Sequence, residues 1–327
     1  MIPVARPAVV PGADRRGGPR ELVRCSVQAD RHSITAVMMA VLRSYHASGP
    51  RPCIFEDNLA HALVSPAECE ALEHASLGLL ESVDPALAAS CTDREMSIQH
   101  ALRVGPGVGP LARARYVEDS LFEALAHGAH QYVIIGAGLD TLAFRRPDLQ
   151  DQLQVIEIDH PATQAFKRAR LANAGLVAPS NLYFAAADLE RERLAIALDR
   201  TPYDPAAPTF FAWPGVTPYL TRQAIFETLR SIAGLAAPGS RLVFDYLEPA
   251  AFAPDAPPRV RFLIQRASEA GEPMLAGLDP VALASDLEHV GFHLVEDLGP
   301  REIQSRFLAH VDGFRAVEYW HFAQARC

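Results

Sequence analysis

The sequence predicts a doubly wound α/β fold, a seven-stranded and mostly parallel sheet with one reversed strand, entered through a run of helices. Three observations carry this expectation. A short apolar, β-rich run, Tyr132–Ile135, passes directly into Gly136, Ala137 and Gly138 and then Asp140. Such a buried strand ending in a glycine turn presents backbone N–H groups to a nucleotide-like ligand. Downstream, apolar runs alternate with helical patterns, as in a parallel sheet with right-handed crossovers. Upstream of residue 131 there is no strand signal at all.

Taken in order, residues 1–22 carry Pro3, Pro7, Pro11, Pro19 and Gly17–Gly18 among arginines, without an apolar signal-peptide segment. A disordered or loosely tethered arm is expected there. Residues 23–110 are expected to form a helical cap over the open end of the sheet. Helical spacing covers Ser26–Leu42, Phe55–Val64, Glu68–Leu80 and Glu95–Leu102, with a break at Gly105–Pro110. Residues 111–327 are expected to be the ligand-binding core, entered by a helix over Ala112–His127. Strands are expected at Gln154–Ile158, Asn181–Ala186, Thr209–Trp213 and Arg241–Tyr246, with helices over Pro161–Ala174 and Arg222–Ala236. A Pro-rich connection over 248–280, with a helix near Arg259–Ala270, is too long for an ordinary loop and is expected to be a lid. A helix over Ala282–Val290 and strands over Phe292–Val295 and Ala316–Phe322 close the pattern.

The 327 residues are 49% apolar, ample for a large core, and the formal charge of −9 argues against nucleic-acid or membrane partners. Cys25, Cys53, Cys69, Cys91 and Cys327 form no C-x-x-C pair, which suits free thiols in a reducing cytoplasm. No apolar run approaches the roughly 20 residues needed to cross a bilayer. Arginine supplies nearly all the basic charge; Lys167 is the one lysine.

Two cofactors compete for the glycine loop. A dinucleotide site reads G-x-G-x-x-G/A, whereas the third small position here is Thr141 and Asp140 would face a diphosphate. That repulsion disfavours NAD and suits S-adenosylmethionine (SAM), which carries a sulfonium and an ammonium and no phosphate. The second strand ends in Glu157-Ile158-Asp159, where an acid can accept hydrogen bonds from ribose hydroxyls. Asp188-Leu189, after the third strand, is placed to accept from an adenine amino group and to pack on the ring.

At these residues the chain resembles the leucine carboxyl methyltransferase family, from about Ser33 to the C-terminus. GAGLDT at Gly136–Thr141 with Phe144–Arg145, and VIEIDHP at Val155–Pro161 with Lys167, carry most of the likeness. RARYVED at Arg113–Asp119, Phe55–Asp57 and GVTPYL at Gly215–Leu220 add to it. The resemblance implies a Rossmann-like class I methyltransferase fold that binds SAM. It implies Arg113 on the cofactor carboxylate and Gly136, Ala137 and Gly138 against the methionine part, with Asp140 near the ammonium. Asp159, with Glu157, would take the ribose, and Asp188 and Leu189 the adenine. Two positions depart from the family pattern. Trp213-Pro214-Gly215 has Pro214 where a glutamate is usual, and Leu142 stands where arginine is common.

Methyl transfer is an in-line displacement that depends mainly on positioning. A carboxylate acceptor needs no base, whereas a hydroxyl calls for one. His46, His61, His74 and His100 lie in the cap, and His160 follows the ribose acid, so no catalytic base is assigned. Tyr219 is a candidate for the acceptor side. The expected activity is O-methylation of a small secondary-metabolite acceptor, of polyketide or antibiotic type, at a carboxylate or hydroxyl. A protein C-terminal carboxyl methyltransferase, an NAD(P) oxidoreductase and a SAM-binding protein without turnover are the alternatives. No metal is expected, and a homodimer is allowed.

Overall fold

The computed structural model describes residues 32–49, 51–105 and 107–327, so the arm expected over 1–22 lies outside the described residues. The chain enters through α1 (Ile34–Ser48), α2 (Pro66–Val83), α3 (Pro85–Ser90), α4 (Arg94–Val104) and α5 (Val108–Ala126), which leads into β1 (Gln131–Ile135). Then come α6 (Leu142–Arg145), β2 (Gln154–Asp159), α7 (Pro161–Asn173), β3 (Leu182–Ala186), α8 (Leu194–Leu198) and β4 (Thr209–Trp213). After them follow α9 (Arg222–Ala233), β5 (Arg241–Leu247), α10 (Pro258–Glu269), α11 (Leu283–Glu288), β6 (His293–Leu298), α12 (Pro300–Ile303) and β7 (Trp320–Arg326).

The sheet order is β3-β2-β1-β4-β5-β7-β6, and only the pairings of β7, with β5 and with β6, are antiparallel. From β1 the chain builds outward to β2 and β3, then returns to lay β4 on the other side of β1. The order therefore reverses between β1 and β4, and the crevice at a reversal point is where open α/β sheets bind ligands.

Side chains alternate across the sheet and fill a core on each face. Tyr132, Ile134, Val155, Phe210 and Val243 pack with Tyr116 and Leu121 of α5. Val133, Ile135, Ile156 and Phe211 pack with Ile225, Leu229 and Ile232 of α9. Because both faces are covered, β1 and β4 are buried at every residue, and after the polar first residues Gln131 and Thr209 they read as unbroken apolar runs. A third, small cluster joins Val37, Ala40 and Val41 of α1 to Leu63, to Leu139 of the glycine loop and to Leu171 of α7. Each valine or leucine among them contributes on the order of 1.5–3 kcal/mol, which anchors α1 on the loop.

Several boundaries differ from the sequence expectation for identifiable reasons. Ser33 caps α1 by accepting from Ala36 N–H, which sets its start. In place of a helix over Phe55–Val64 there is only a 3₁₀ turn, Ala60–Leu63, because the buried Asp57 accepts the Leu59 and Ala60 amides in a side-chain turn. Pro110 falls inside the first turn of α5, where a missing N–H is harmless, so the break before the core is shorter than its proline suggested. The closing strands lie later than expected, at β6 and β7. Tyr319 in a positive-φ conformation (φ 63°) turns the chain just before β7, keeping Ala316–Tyr319 out of the strand.

Candidate active site

Beyond β1 the chain makes two positive-φ steps, at Gly136 (φ 74°) and Gly138 (φ 53°). The amides of Gly136 and Ala137 donate to the Ile158 carbonyl at 2.8 and 3.2 Å, which ties the turn to the end of β2. A Cβ on Gly136 would lie 2.6 Å from Val216 Cγ2, and one on Gly138 would lie 3.1 Å from Ala36 Cβ. Neither position has room for a side chain. The turn forms the floor of a cavity of about 530 Å³ walled by α1, α5, the ends of β2 to β4 and the segment after α10.

Asp159, the last residue of β2, accepts from the Gly138 and His160 amides, one on each carboxylate oxygen. Burial raises its carboxyl above the ordinary range despite those two donors. Asp140 accepts from the Leu142 amide at 2.8 Å and so starts α6. Thr141, the residue that spoils the dinucleotide pattern, donates to Asp57 at 2.8 Å. Asp57 also receives Arg43 Nε at 2.8 Å, and Arg43 in turn donates to the Leu139 carbonyl at 2.7 Å. Burial would raise the Asp57 carboxyl, but Arg43 and Arg145, with the Thr141 hydroxyl, hold it below its usual range. This buried knot fastens the entering helices to the glycine loop.

The opposite wall is built on Asp245, in β5 and 0% exposed. Its Oδ2 receives Arg113 Nη1 and Trp320 Nε1, each at 2.8 Å, and its Oδ1 receives the Gly215 amide. Gly215 is required here: its φ is 72°, and a Cβ would lie 2.6 Å from Arg113 Nη2. Arg113 is thus gripped on one edge while it lines the cavity. Pro214, where the resemblance implies a glutamate, lines the same cavity without a charge.

Of the expected site residues, Arg113, Gly136, Ala137, Gly138, Asp140, Asp159, Asp188, Leu189 and Tyr219 all line this one cavity. Glu157 does not, and this corrects the sequence expectation. It lies two residues deeper in β2, is 1% exposed, and is ion-paired with Lys167, itself 1% exposed. Burial pushes the Glu157 carboxyl up to about 7 against the pull of the Lys167 ammonium. Burial, followed by the nearby Glu272, pushes the Tyr219 phenol up to about 12. Sequence reasoning missed Asp245, Trp320 and Glu272. An aspartate inside the apolar run LVFDYL was the available signal for the first; nothing local marked the other two.

A doubly wound sheet with a glycine turn at its reversal point, and carboxylates on the neighbouring strand ends, defines an α/β protein built for a nucleoside cofactor. The chain belongs to the leucine carboxyl methyltransferase family, whose profile matches residues 36–233. It is 32% identical over 309 residues to a Bacillus subtilis protein named "Putative S-adenosyl-L-methionine-dependent methyltransferase YktD", covering 91% of this chain and 99% of that one. A Mycolicibacterium vanbaalenii protein of the same general name is 32% identical over 214 residues, 64% of this chain and 66% of its own. Among solved structures, a DUF574 family protein from Streptomyces avermitilis superposes with a TM-score of 0.56 at 18% identity. That match covers 88% of this chain and 96% of that one, and it supports the fold. The chain is an S-adenosylmethionine-dependent methyltransferase. The residues present fit that cofactor: two glycines no side chain could replace, a crevice acid at the end of β2, and an arginine that, among the described residues, gives only Nη1 to Asp245. Among the described residues, no helix is long and apolar enough to cross a membrane.

Proposed function

We propose that this methyltransferase acts on an oxygen of a small-molecule acceptor. The observation carrying this reading is the enclosure of the cavity. Its roughly 530 Å³ lies within the usual range for small ligands, about 300–1,000 Å³. The cap helices cover it on one side, and the segment after α10, acting as a lid, touches α1 through Glu272 and Thr35.

In this reading Arg113 uses the N–H groups not held by Asp245 to take the SAM carboxylate, a match for the two-pronged guanidinium. Gly136, Ala137 and Gly138 let the methionine part lie against bare backbone, with Asp140 beside its ammonium. Asp159 accepts from the ribose hydroxyls, while Asp188 and Leu189 hold the adenine. When bound, SAM supplies an electrophilic methyl group. The chain's own contribution is to fix the donor by these contacts, to hold the acceptor in line with it and to exclude water.

The test is to incubate the enzyme with methyl-labelled SAM and a cell extract, then separate solvent-extractable material from precipitated protein. Label in the extractable fraction, stable to mild base as an ether or slowly released as an ester, is the expected outcome. Label confined to protein and released as methanol would instead favour the protein carboxyl methyltransferase reading.

A further inference from the structure

Four arginines and seven carboxylates line the cavity among the described residues. Each arginine is already matched: Arg43 with Asp57, Arg113 with Asp245, Arg145 with Glu118 and Arg191 with Asp188. Glu272 is different. Among the described residues it has no cationic partner and is instead oriented by Thr35, whose amide, at 3.2 Å, and hydroxyl both donate to Oε2. Its Oε1 receives no hydrogen bond from a described residue. Thr35 precedes Ala36, the residue packed against Gly138, so Glu272 is held one residue from the glycine loop. Tyr219 lines the same cavity, and the charges of Glu272 and Arg113 both act on its phenol. Met39, Leu263 and Met274 give the same cavity apolar lining.

We propose that Glu272 selects the acceptor, and that the acceptor presents a hydroxyl rather than a carboxylate. This rests on the methyltransferase reading above. A carboxylate acceptor would place another negative charge beside Glu272 in a cavity where the cofactor carboxylate takes the open edge of Arg113 and the other arginines are paired with acids, and like charges in such a setting repel strongly. A hydroxyl suits the same place, because it can donate to the free Oε1 while its apolar body packs on the methionines and leucine. Thr35 fixes the direction in which that oxygen points. Glu272 therefore gives this site a hydroxyl preference that the family's name does not suggest.

The enzyme is loaded with S-adenosylhomocysteine and titrated calorimetrically, near neutral pH, with para-butylphenol, its methyl ether and para-butylbenzoate. The phenol is expected to bind about tenfold more tightly than either of the others. In Glu272→Gln, shown to be folded by unchanged S-adenosylhomocysteine affinity, the discrimination against benzoate is expected to fall to within about twofold. Benzoate binding as tightly as phenol to the unaltered enzyme overturns the inference. So does an ether that matches the phenol, full discrimination persisting in Glu272→Gln, or no binding of any of the three. The comparison on the unaltered enzyme decides the matter by itself if the variant does not fold. Failure of S-adenosylhomocysteine to bind is a separate result, and it removes the methyltransferase reading rather than the hydroxyl preference alone.

Discussion

Two buried ion pairs flank the glycine turn, Lys167–Glu157 on the β2 side and Arg113–Asp245 on the β5 side. Their acids are equally hidden, at 1% and 0% exposed. Their bases are not. The Lys167 side chain is 1% exposed and sealed under the sheet, whereas Arg113 is 13% exposed and faces the cavity. Depth along the strand accounts for part of the difference. Glu157 shares a face with Asp159 but sits two residues, about 6.6 Å, further from the strand end. Side-chain chemistry accounts for the rest. An ammonium is a compact charge that one carboxylate can absorb, whereas a guanidinium gripped on one edge still presents N–H groups from the other. A buried pair of this kind serves packing or ligand binding according to whether its base keeps an open edge.

The largest expected effect comes from emptying the open pair. Asp245→Ala leaves Arg113, Trp320 Nε1 and the Gly215 amide without their acceptor, and should cost about 3–5 kcal/mol of stability in urea denaturation. SAM affinity should fall with it. The sealed pair should respond less and differently. Lys167→Met should cost about 1–3 kcal/mol, because the stranded Glu157 can take up a proton, and SAM affinity should stay within about twofold. Equal losses of SAM affinity in the two variants would erase the distinction between the pairs.

A finer contrast lies within β2 itself. Asp159→Asn should weaken SAM binding by about 1–3 kcal/mol, whereas Glu157→Gln should leave it unchanged, as read by calorimetry. The smallest effect is one of pH. In the unfolded chain Glu157 ionises in the ordinary carboxyl range, but in the native protein it does so only near 7. The unfolded state therefore binds fewer protons between those values, and this group's contribution to stability declines as the pH rises through that window. Glu157→Gln should flatten that part of the stability profile; an unaltered slope would show that Glu157 ionises normally in the fold.

The sequence exposed the β1–β3 half of the crevice well and the β4–β5 half poorly, and the reason is physical. Gly136, Gly138, Asp140, Asp159 and Asp188 follow strands as local punctuation, so each is legible from its immediate neighbours. Arg113, Asp245, Gly215 and Trp320 meet only through tertiary packing, across separations of 30 to 132 residues to Asp245, and only Arg113 carries an expected role, through family resemblance. Glu157 misled because a strand-end acid and an acid two residues deeper look alike in a sequence; the buried lysine that claims it is visible only in the fold. Asp57 belongs to Phe55–Asp57, one of the stretches of family likeness, but its task of tying Arg43 and Thr141 together cannot be read from spacing. The pattern of seven strands with one reversed was legible, whereas the edges of β6 and β7 depended on the turn at Tyr319.

The open-edge assignment of Arg113 is tested most directly by comparing SAM with its decarboxylated analogue. Both are titrated into the unaltered enzyme and into Arg113→Ala, with circular dichroism confirming the fold. The arrangement predicts that removing the carboxylate weakens binding to the unaltered enzyme by about 1.5–3 kcal/mol, the range for a hydrogen bond to a charged group, and leaves binding to Arg113→Ala nearly unchanged. An equal penalty in both proteins would place the cofactor carboxylate somewhere other than Arg113.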